Sequence, residues 1–351
     1  MDASPNSRLY QEIHEQPQVI ARLIAEEGAP VARIAGELRL RAVHYVIIAA
    51  RGTSDNAATY GKYLFANALR LPVGLAAPSL YTIYGSPPRT GPEALVIGIS
   101  QSGESPDIVA VLDEARRQGA ATLSITNAPD SPLARACEYS IACHAGPELS
   151  VAATKSYTAQ LTALALLAAS WSGDEQRQAQ IQALPEAVQN TLGLAATIRE
   201  CTERYRYMEA CVVLGRGYNY STAHEIALKM KELNYILTEP YSSADFMHGP
   251  IAIIGQGFPV LLVAPSGEVY PDLLALAREL KDKGAELIAI SDRPEALDMA
   301  VTPLQLPVTV PEWLSPVVCV IPGQLMAHDL TLAKGYDPDH PRGLRKVTLT
   351  H

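Results

Sequence analysis

A run of small polar residues follows one predicted strand directly. The strand Ala94–Ile99 continues into Ser100-Gln101-Ser102-Gly103-Glu104-Ser105, and Pro106 then suits the first turn of a helix, where its missing N–H costs little. Hydroxyl side chains and a glycine at such a turn expose backbone N–H groups at the positive end of the helix dipole. The run therefore predicts a site for a phosphate or another small dianion.

A second strand end carries hydroxyls as well. Thr53 and Ser54 follow Gly52 after another predicted strand, at the edge where open α/β sheets bind ligands, so both are substrate-binding candidates. The alternative is that Ser54 and Ser105 only cap helices, a frequent role of serine. A nucleotide site is not predicted, because the chain has no GxxxxGK[ST] loop and Gly215-Arg216-Gly217 lacks the third glycine of a dinucleotide fingerprint.

Three ionisable residues recur at helical spacing in the second half of the chain. Glu225, Lys229 and Glu232 are four and three residues apart, which places them on one face of a helix. They can act as an acid–base group, or they can form an ion-pair ladder on the surface. His248 follows in a Gly-Pro loop, where a single histidine is either catalytic or structural. Histidine and cysteine are too sparse at ligand spacings to predict a metal site.

Strand-like and helix-like segments that must position these residues alternate along the chain. Amphipathic stretches at Pro106–Gln118 and Pro271–Lys283 have helical spacing of apolar residues, and a further helical stretch is predicted over 149–169. The predicted buried strands are Val43–Ala49, Ala94–Ile99, Ala121–Ile125, Ala210–Leu214, Pro259–Val263 and Glu286–Ile290. Alternation of this kind predicts α/β layers with mainly parallel sheets.

The two halves of the chain share landmarks at a common offset. Four pairs lie 164 or 165 residues apart: Arg51-Gly52 and Arg216-Gly217, Ser102-Gly103-Glu104 and Ser266-Gly267-Glu268, Gly119 and Gly284, Asn127 and Asp292. Two copies of one α/β fold explain this agreement. The second copy keeps the turn but loses most of its hydroxyls. We therefore expect the first copy to bind the anion and the second to carry the ionisable residues.

The composition narrows the class of protein. The chain has 351 residues, 48% of them apolar, which fits two globular domains. Its net charge of −9 argues against a nucleic-acid surface. Its five cysteines form no CxxC pair, which predicts reduced, buried thiols. The N-terminus resembles no secretory signal and the longest apolar run, Leu161–Trp171, is too short for a bilayer, so we expect a cytoplasmic protein without membrane contact.

Six motifs in order give the sequence a specific resemblance. They are Ala50-Arg-Gly-Thr-Ser54, Ser100-Gln-Ser-Gly-Glu-Ser105, Val151-Ala-Ala-Thr-Lys155, Ala227-Leu-Lys-Met-Lys-Glu232, His248-Gly-Pro250 and Pro341-Arg-Gly-Leu-Arg-Lys346. Together they resemble the isomerase half of glucosamine-6-phosphate synthase, a tandem pair of sugar isomerase (SIS) domains. The resemblance implies an α/β fold in which each domain has a mainly parallel, doubly wound, flavodoxin-like sheet. We expect a helical extension over 1–40, SIS domains over 41–175 and 176–330, and a tail over 331–351.

The resemblance also implies roles for single residues. Glu232 matches the carboxylate that moves a proton between C1 and C2 of the open-chain sugar. His248 matches the histidine that opens the sugar ring and comes from the neighbouring subunit of a homodimer. Lys346 matches a tail lysine that forms an imine with the ketose carbonyl, and Arg342 and Arg345 are candidates to flank it. The matched substrate-binding positions are Thr53, Ser100, Gln101, Ser102 and Ser105 for the phosphate, with Val151, Glu225 and Lys229 around the sugar.

Three features depart from the synthase. Met1-Asp2 offers no N-terminal cysteine nucleophile, Met247 and Ala153 replace polar residues common in that family, and the tail ends Lys346-Val-Thr-Leu-Thr-His351. The expected activity is therefore cofactor-free conversion of glucosamine 6-phosphate, or a close relative, to fructose 6-phosphate and ammonia. Simple ketose–aldose isomerisation and deglycation of a fructosamine 6-phosphate are alternative activities. A sugar-phosphate sensor without catalysis is the alternative outside the enzymes.

Overall fold

The computed structural model describes residues 7–346, which separate into two compact units. The first unit comprises residues 16–148, 155–185 and 345–346. The second unit comprises residues 7–15, 149–154 and 186–344. Within these described residues, each unit contains one parallel sheet of five strands.

The elements follow in chain order. The strands are β1 (Tyr45–Ala49), β2 (Val73–Leu75), β3 (Ala94–Ser100), β4 (Ala121–Thr126), β5 (Tyr139–Ala142), β6 (Ala210–Gly215), β7 (Leu237–Ser242), β8 (Pro259–Val263), β9 (Glu286–Ser291) and β10 (Thr302–Gln305). The α-helices are α1 (Arg8–His14), α2 (Gln16–Leu40), α3 (Thr53–Leu69), α4 (Ser79–Thr82), α5 (Pro106–Arg117), α6 (Pro132–Ala136), α7 (Lys155–Ser172), α8 (Glu175–Ile181), α9 (Leu184–Leu192), α10 (Ala195–Thr202), α11 (Tyr220–Asn234), α12 (Ser243–Met247), α13 (Tyr270–Asp282), α14 (Pro294–Leu297) and α15 (Ser315–Ala333). Short 3-10 helices lie at Glu203–Tyr205, Gly217–Asn219, Pro250–Ile253 and Glu312–Leu314.

Both sheets have the same topology. The first is ordered β2-β1-β3-β4-β5 and the second β7-β6-β8-β9-β10, so each strand of one has a counterpart in the other. The counterparts β3 and β8 begin 165 residues apart, at Ala94 and Pro259. The predicted fold class, two α/β copies with parallel sheets, is confirmed. In each sheet the order reverses between its first and third strands in sequence, and open α/β sheets bind ligands at that reversal.

The central strands are those that the sequence predicts, with ends shifted by at most two residues. They are recognisable because parallel strands are covered on both faces; every residue of β3 is buried. The edge strands were not predicted. One prediction is wrong in its start: residues 149–154 are a loop, and α7 begins at Lys155.

The last long helix is a core element of the second unit. Helix α15 packs against α10 and α11, and most of its residues are buried. The stretch Glu312–Ala333, which includes α15, is the one segment among the described residues with the length and mean hydropathy of a membrane span. The most apolar 18 residues of this stretch are 89% buried inside the protein, so the core accounts for their apolar composition.

Candidate active site

The predicted anion-binding turn is a tight loop between β3 and α5. Ser100 ends the strand, and its Oγ accepts a hydrogen bond from the Gly103 N–H at 3.1 Å. The carbonyl of Gln101 accepts from the Asn127 N–H at 3.1 Å, and that of Gly103 accepts from the Leu133 N–H at 3.1 Å. Residues that follow β4 therefore hold the turn through these two carbonyls.

Gly103 is the residue that allows this turn to close. Its φ of 65° lies in the left-handed region, which side chains disfavour. A Cβ at this position would also lie 2.1 Å from Oγ of Ser131, so there is no room for one. Glycine is thus required twice, by its backbone conformation and by the close approach of Ser131.

The turn presents donors that the described chain does not use. The N–H groups of Ser102 and Ser105 have no hydrogen-bond partner within residues 7–346. Ser105 is the N-cap residue of α5, yet its side chain does not bond to the helix, which excludes the capping alternative for it. Its Oγ lies 3.5 Å from Oγ of Ser100. Two hydroxyls and two N–H groups at a helix N-terminus are suited to a phosphate.

The strand end after β1 lies beside this turn, because β1 and β3 are paired neighbours. Thr53 is half-buried and begins α3 directly after Gly52. Ser54 is buried, and its Oγ accepts a hydrogen bond from Nε2 of Gln160 at 3.0 Å. Ser54 does not cap the helix, and its described contact is internal.

An ion pair that sequence reasoning missed joins the end of β1 to the start of α5. Arg51 Nε donates to Oδ2 of Asp107, in the first turn of α5, at 2.8 Å, and the Asp107 side chain is only 1% exposed. The second unit repeats this pair, since Arg216 Nη1 lies 3.4 Å from Oδ2 of Asp272. Arg51 and Arg216 already matched in the internal repeat. The acidic partners could have been found by applying the same offset to the helices.

The turn of the second unit is occupied by the protein's own carboxylates. Glu312 accepts the Glu268 N–H at 2.9 Å and the Val269 N–H at 3.4 Å. Ser266 donates its N–H at 2.7 Å and its hydroxyl at 2.8 Å to Asp292. Val269 is the counterpart of Ser105, whose N–H has no partner among residues 7–346. This arrangement is compatible with the expectation that the first copy binds the anion, which stays a prediction.

The ionisable residues of α11 form a buried cluster. The side chains of Glu225 and Lys229 are 0% and 1% exposed, which excludes a ladder on the protein surface. Lys229 Nζ lies 3.4 Å from Oε1 of Glu225 and 2.6 Å from Oε2 of Glu232. Burial alone would lower the pKa of Lys229, but the two carboxylates outweigh that effect and raise the pKa above its ordinary value. Lys229 is therefore a fixed cation.

Glu232 has the geometry of a proton-transfer group. Its side chain is 24% exposed, and Lys229 holds one of its two oxygens, Oε2. The other oxygen, Oε1, has no partner among the residues that the structure describes. A carboxylate held by one oxygen and open at the other can receive a proton from one carbon and return it to the next.

His248 lies apart from this cluster. It is exposed and follows α12, which begins where β7 ends, whereas Glu232 lies near the end of α11, just before β7 begins. The six residues of β7, roughly 20 Å of strand at about 3.3 Å per residue, lie between them along the chain.

Lys346, the last described residue, contacts a carboxylate that sequence reasoning missed. Its Nζ lies 2.9 Å from Oε2 of Glu148, whose side chain is fully buried. Arg342, expected beside Lys346, instead lies over the ring of Tyr235, 4.4 Å from its centroid. Glu148 precedes the Val151 motif by three residues, but its partner is 198 residues away, so no local pattern indicates the pair.

Val151 lies half-buried in the loop of residues 149–154. A second buried carboxylate, Glu12, holds this loop through the N–H groups of Leu149 and Ser150 and the hydroxyl of Ser150. No group of three or more His, Cys, Asp or Glu side chains within residues 7–346 could hold a metal ion.

Comparisons with known proteins show the family to which the chain belongs. A family model for the SIS domain matches residues 39–170 and 209–332. Glutamine–fructose-6-phosphate aminotransferases of Thermococcus kodakarensis and Thermus thermophilus are 36% and 37% identical over 96% of this chain, which spans 57% and 58% of their length. A proposed phosphosugar isomerase of Silicibacter pomeroyi superposes with a TM-score of 0.86 at 34% identity, covering 95% of this chain and all of its own. The C-terminal domain of the Francisella tularensis glucosamine–fructose-6-phosphate aminotransferase has a TM-score of 0.86 at 28% identity, covering 97% and 100%.

Proposed function

The chain belongs to the SIS domain family and is related to sugar-phosphate isomerases, and we propose that it converts an amino-sugar 6-phosphate to a ketose 6-phosphate and ammonia. Glucosamine 6-phosphate is the proposed substrate and fructose 6-phosphate the proposed product. The curated relatives, similar over 96% of this chain, are named for an amino transfer involving fructose 6-phosphate, which supports an amino sugar as the substrate.

The observation that carries the proposal is the half-engaged carboxylate of Glu232. In the open-chain amino sugar, C1 is an aldehyde and C2 bears the amino group. Removal of the C2 proton and its return to C1 converts the aldehyde to an alcohol and leaves an imine at C2. Hydrolysis of the C2 imine then gives the ketose and ammonia. Glu232, with Oε2 held by Lys229, is the proposed base and acid of the first step.

The turn at residues 100–105 is proposed to hold the phosphate. Binding a dianion far from C1 and C2 supplies positioning energy for the reacting carbons. We assign ring opening to His248 of a neighbouring subunit, as the family resemblance implies, and β7 lies between His248 and Glu232 along the chain. The homodimer is thus part of the proposal, and no nucleic acid or membrane partner is needed.

Ammonia release from purified protein with glucosamine 6-phosphate tests the proposal. The reaction is run in deuterated water and followed by NMR, so that deuterium incorporation at C1 or C2 reports proton transfer separately from loss of ammonia. We expect both signals, and E232Q, which keeps the size of the side chain, should lose both. Isomerisation of ketose and aldose 6-phosphates without ammonia would replace the proposal with a simple isomerase. Turnover only of a fructosamine 6-phosphate would indicate a deglycase, and tight binding without exchange a sensor.

A further inference from the structure

Lys346 meets a carboxylate that no motif assigns to the reaction. We propose that Glu148 is the positioning residue of Lys346: it holds the Nζ atom in place and takes its proton when the amine reacts. This inference deepens the proposed function and rests on it, because it needs Lys346 to form an imine with the substrate.

Glu148 is also held by hydrogen bonds that do not involve Lys346. Its Oε1 accepts the Ser156 N–H at 3.1 Å and its Oε2 accepts the Ser156 hydroxyl at 2.7 Å. Ser156 is the second residue of α7, so the carboxylate lies at the positive end of that helix, which favours an anion. Glu148 and Ser156 are both fully buried on their side chains. The carboxylate therefore presents Oε2 to Nζ from a rigid support, while the lysine side chain remains 24% exposed.

The proposed reaction requires that Lys346 be deprotonated beside a proton acceptor. An ammonium nitrogen has no free electron pair, so Lys346 must lose one proton before it can attack carbon. In the proposed step Glu148 accepts that proton, and the freed amine forms an N–C bond at C2 of the protonated sugar imine. The lysine nitrogen passes one proton to the substrate's amino group. The C2–N bond to that group then breaks, the nitrogen leaves with its electron pair as ammonia, and the lysine nitrogen forms the imine bond to C2. Ammonia takes the proton from Glu148, and water hydrolyses the lysine imine to ketose and the Lys346 ammonium.

The competing explanation is a structural ion pair that only anchors the tail. Both explanations predict that loss of Glu148 lowers stability, but only the proposal predicts a specific loss of imine formation. The first unit offers a matched control in Glu27, another buried carboxylate with a basic partner. Glu27 Oε1 lies 2.7 Å from Nε2 of His144 and contacts none of the proposed catalytic residues.

The test is borohydride trapping with fructose 6-phosphate on the full chain, followed by mass analysis of the peptide that contains Lys346. For E148Q we expect trapping to fall about 100-fold, the scale of a misplaced reacting group, while fructose 6-phosphate still binds. E148D should restore part of the rate, and E27Q should trap at the wild-type rate. If E148Q does not fold, S156A, which removes one support of the carboxylate, should give a smaller fall in the same assay.

Each remaining result counts against the proposal. Wild-type trapping rates in E148Q or S156A would overturn it, and so would equal losses in E148Q and E27Q that follow thermal stability. Failure of the proposed function itself is distinguishable, because then the wild-type chain would neither trap the ketose nor release ammonia from glucosamine 6-phosphate.

Discussion

Replacing Lys229 by methionine tests the electrostatics of the α11 cluster most directly. The substitution keeps the length of the side chain but removes the cation between Glu225 and Glu232, leaving Glu225 fully buried beside a second carboxylate. Removing one partner of a buried pair destabilises a protein by about 3–5 kcal/mol. We expect the loss of stability in K229M to fall in that range near neutral pH, because two carboxylates lose their shared cation.

The raised pKa of Lys229 determines how the stability of the chain should change with pH. The pKa of Lys229 is raised, so its stabilising contribution is fully present below the ordinary lysine value of 10.5 and is lost only as the pH rises above that value. The wild-type chain should therefore show no pH dependence from Lys229 between about pH 5 and 9. In K229M the folded chain gains from protonating the buried Glu225. The stability deficit should then shrink as the pH falls.

Urea unfolding midpoints at several pH values measure both effects, with E225Q/K229M as the matched control. The double variant removes the buried charge together with its partner, so it should recover about half of the deficit or more. A K229M deficit below about 1 kcal/mol, typical of a surface pair, would refute the reasoning. So would a deficit that does not change with pH.

The other predictions concern single steps of the proposed reaction and the anion turns. E232Q should bind the sugar phosphate nearly as well as wild type but lose C1–C2 proton exchange in deuterated water; equal loss of binding and exchange would make Glu232 structural. S102A should raise KM for glucosamine 6-phosphate about 10–150-fold, because one hydrogen bond to a charged group contributes about 1.5–3 kcal/mol, with kcat little changed; an unchanged KM contradicts the turn as phosphate site. E312A should lose about 1 kcal/mol of stability, as for a lost helix cap, and should gain more from added sulfate than wild type does; equal sulfate responses would contradict the role of Glu312 as an internal anion.

The sequence predicted the elements whose burial is uniform. Strands such as β3 and β8 are continuous apolar runs, and such runs occur where a parallel sheet is covered on both faces. The edge strands lack this signal: β2 has three partly or fully exposed residues, and β7 contains a proline and exposed positions. The loop before α7 was predicted as helix because its residues are small and apolar, and nothing local marks the start at Lys155.

For the candidate site, the sequence predicted the residues that carry the chemistry but not the residues that hold them in place. Motif residues with hydroxyls or charges were found because their chemistry and spacing are local. Their partners were not, since Gln160 meets Ser54 from 106 residues away and Glu148 meets Lys346 from 198. Burial also decided what spacing left open, because the i, i+3 and i, i+4 pairs of α11 are compatible with either a surface ladder or a buried site.

The two copies share the frame of the turn and differ in what meets its N–H groups. Both keep an arginine–aspartate pair between the end of the first strand and the start of the helix that follows the third strand, as in Arg51 with Asp107. Glu312 accepts N–H groups of the second turn, whereas the N–H groups of Ser102 and Ser105 in the first turn have no partners among residues 7–346. Because an internal carboxylate repels a phosphate, the occupied second turn supports placing the proposed phosphate site at the first turn.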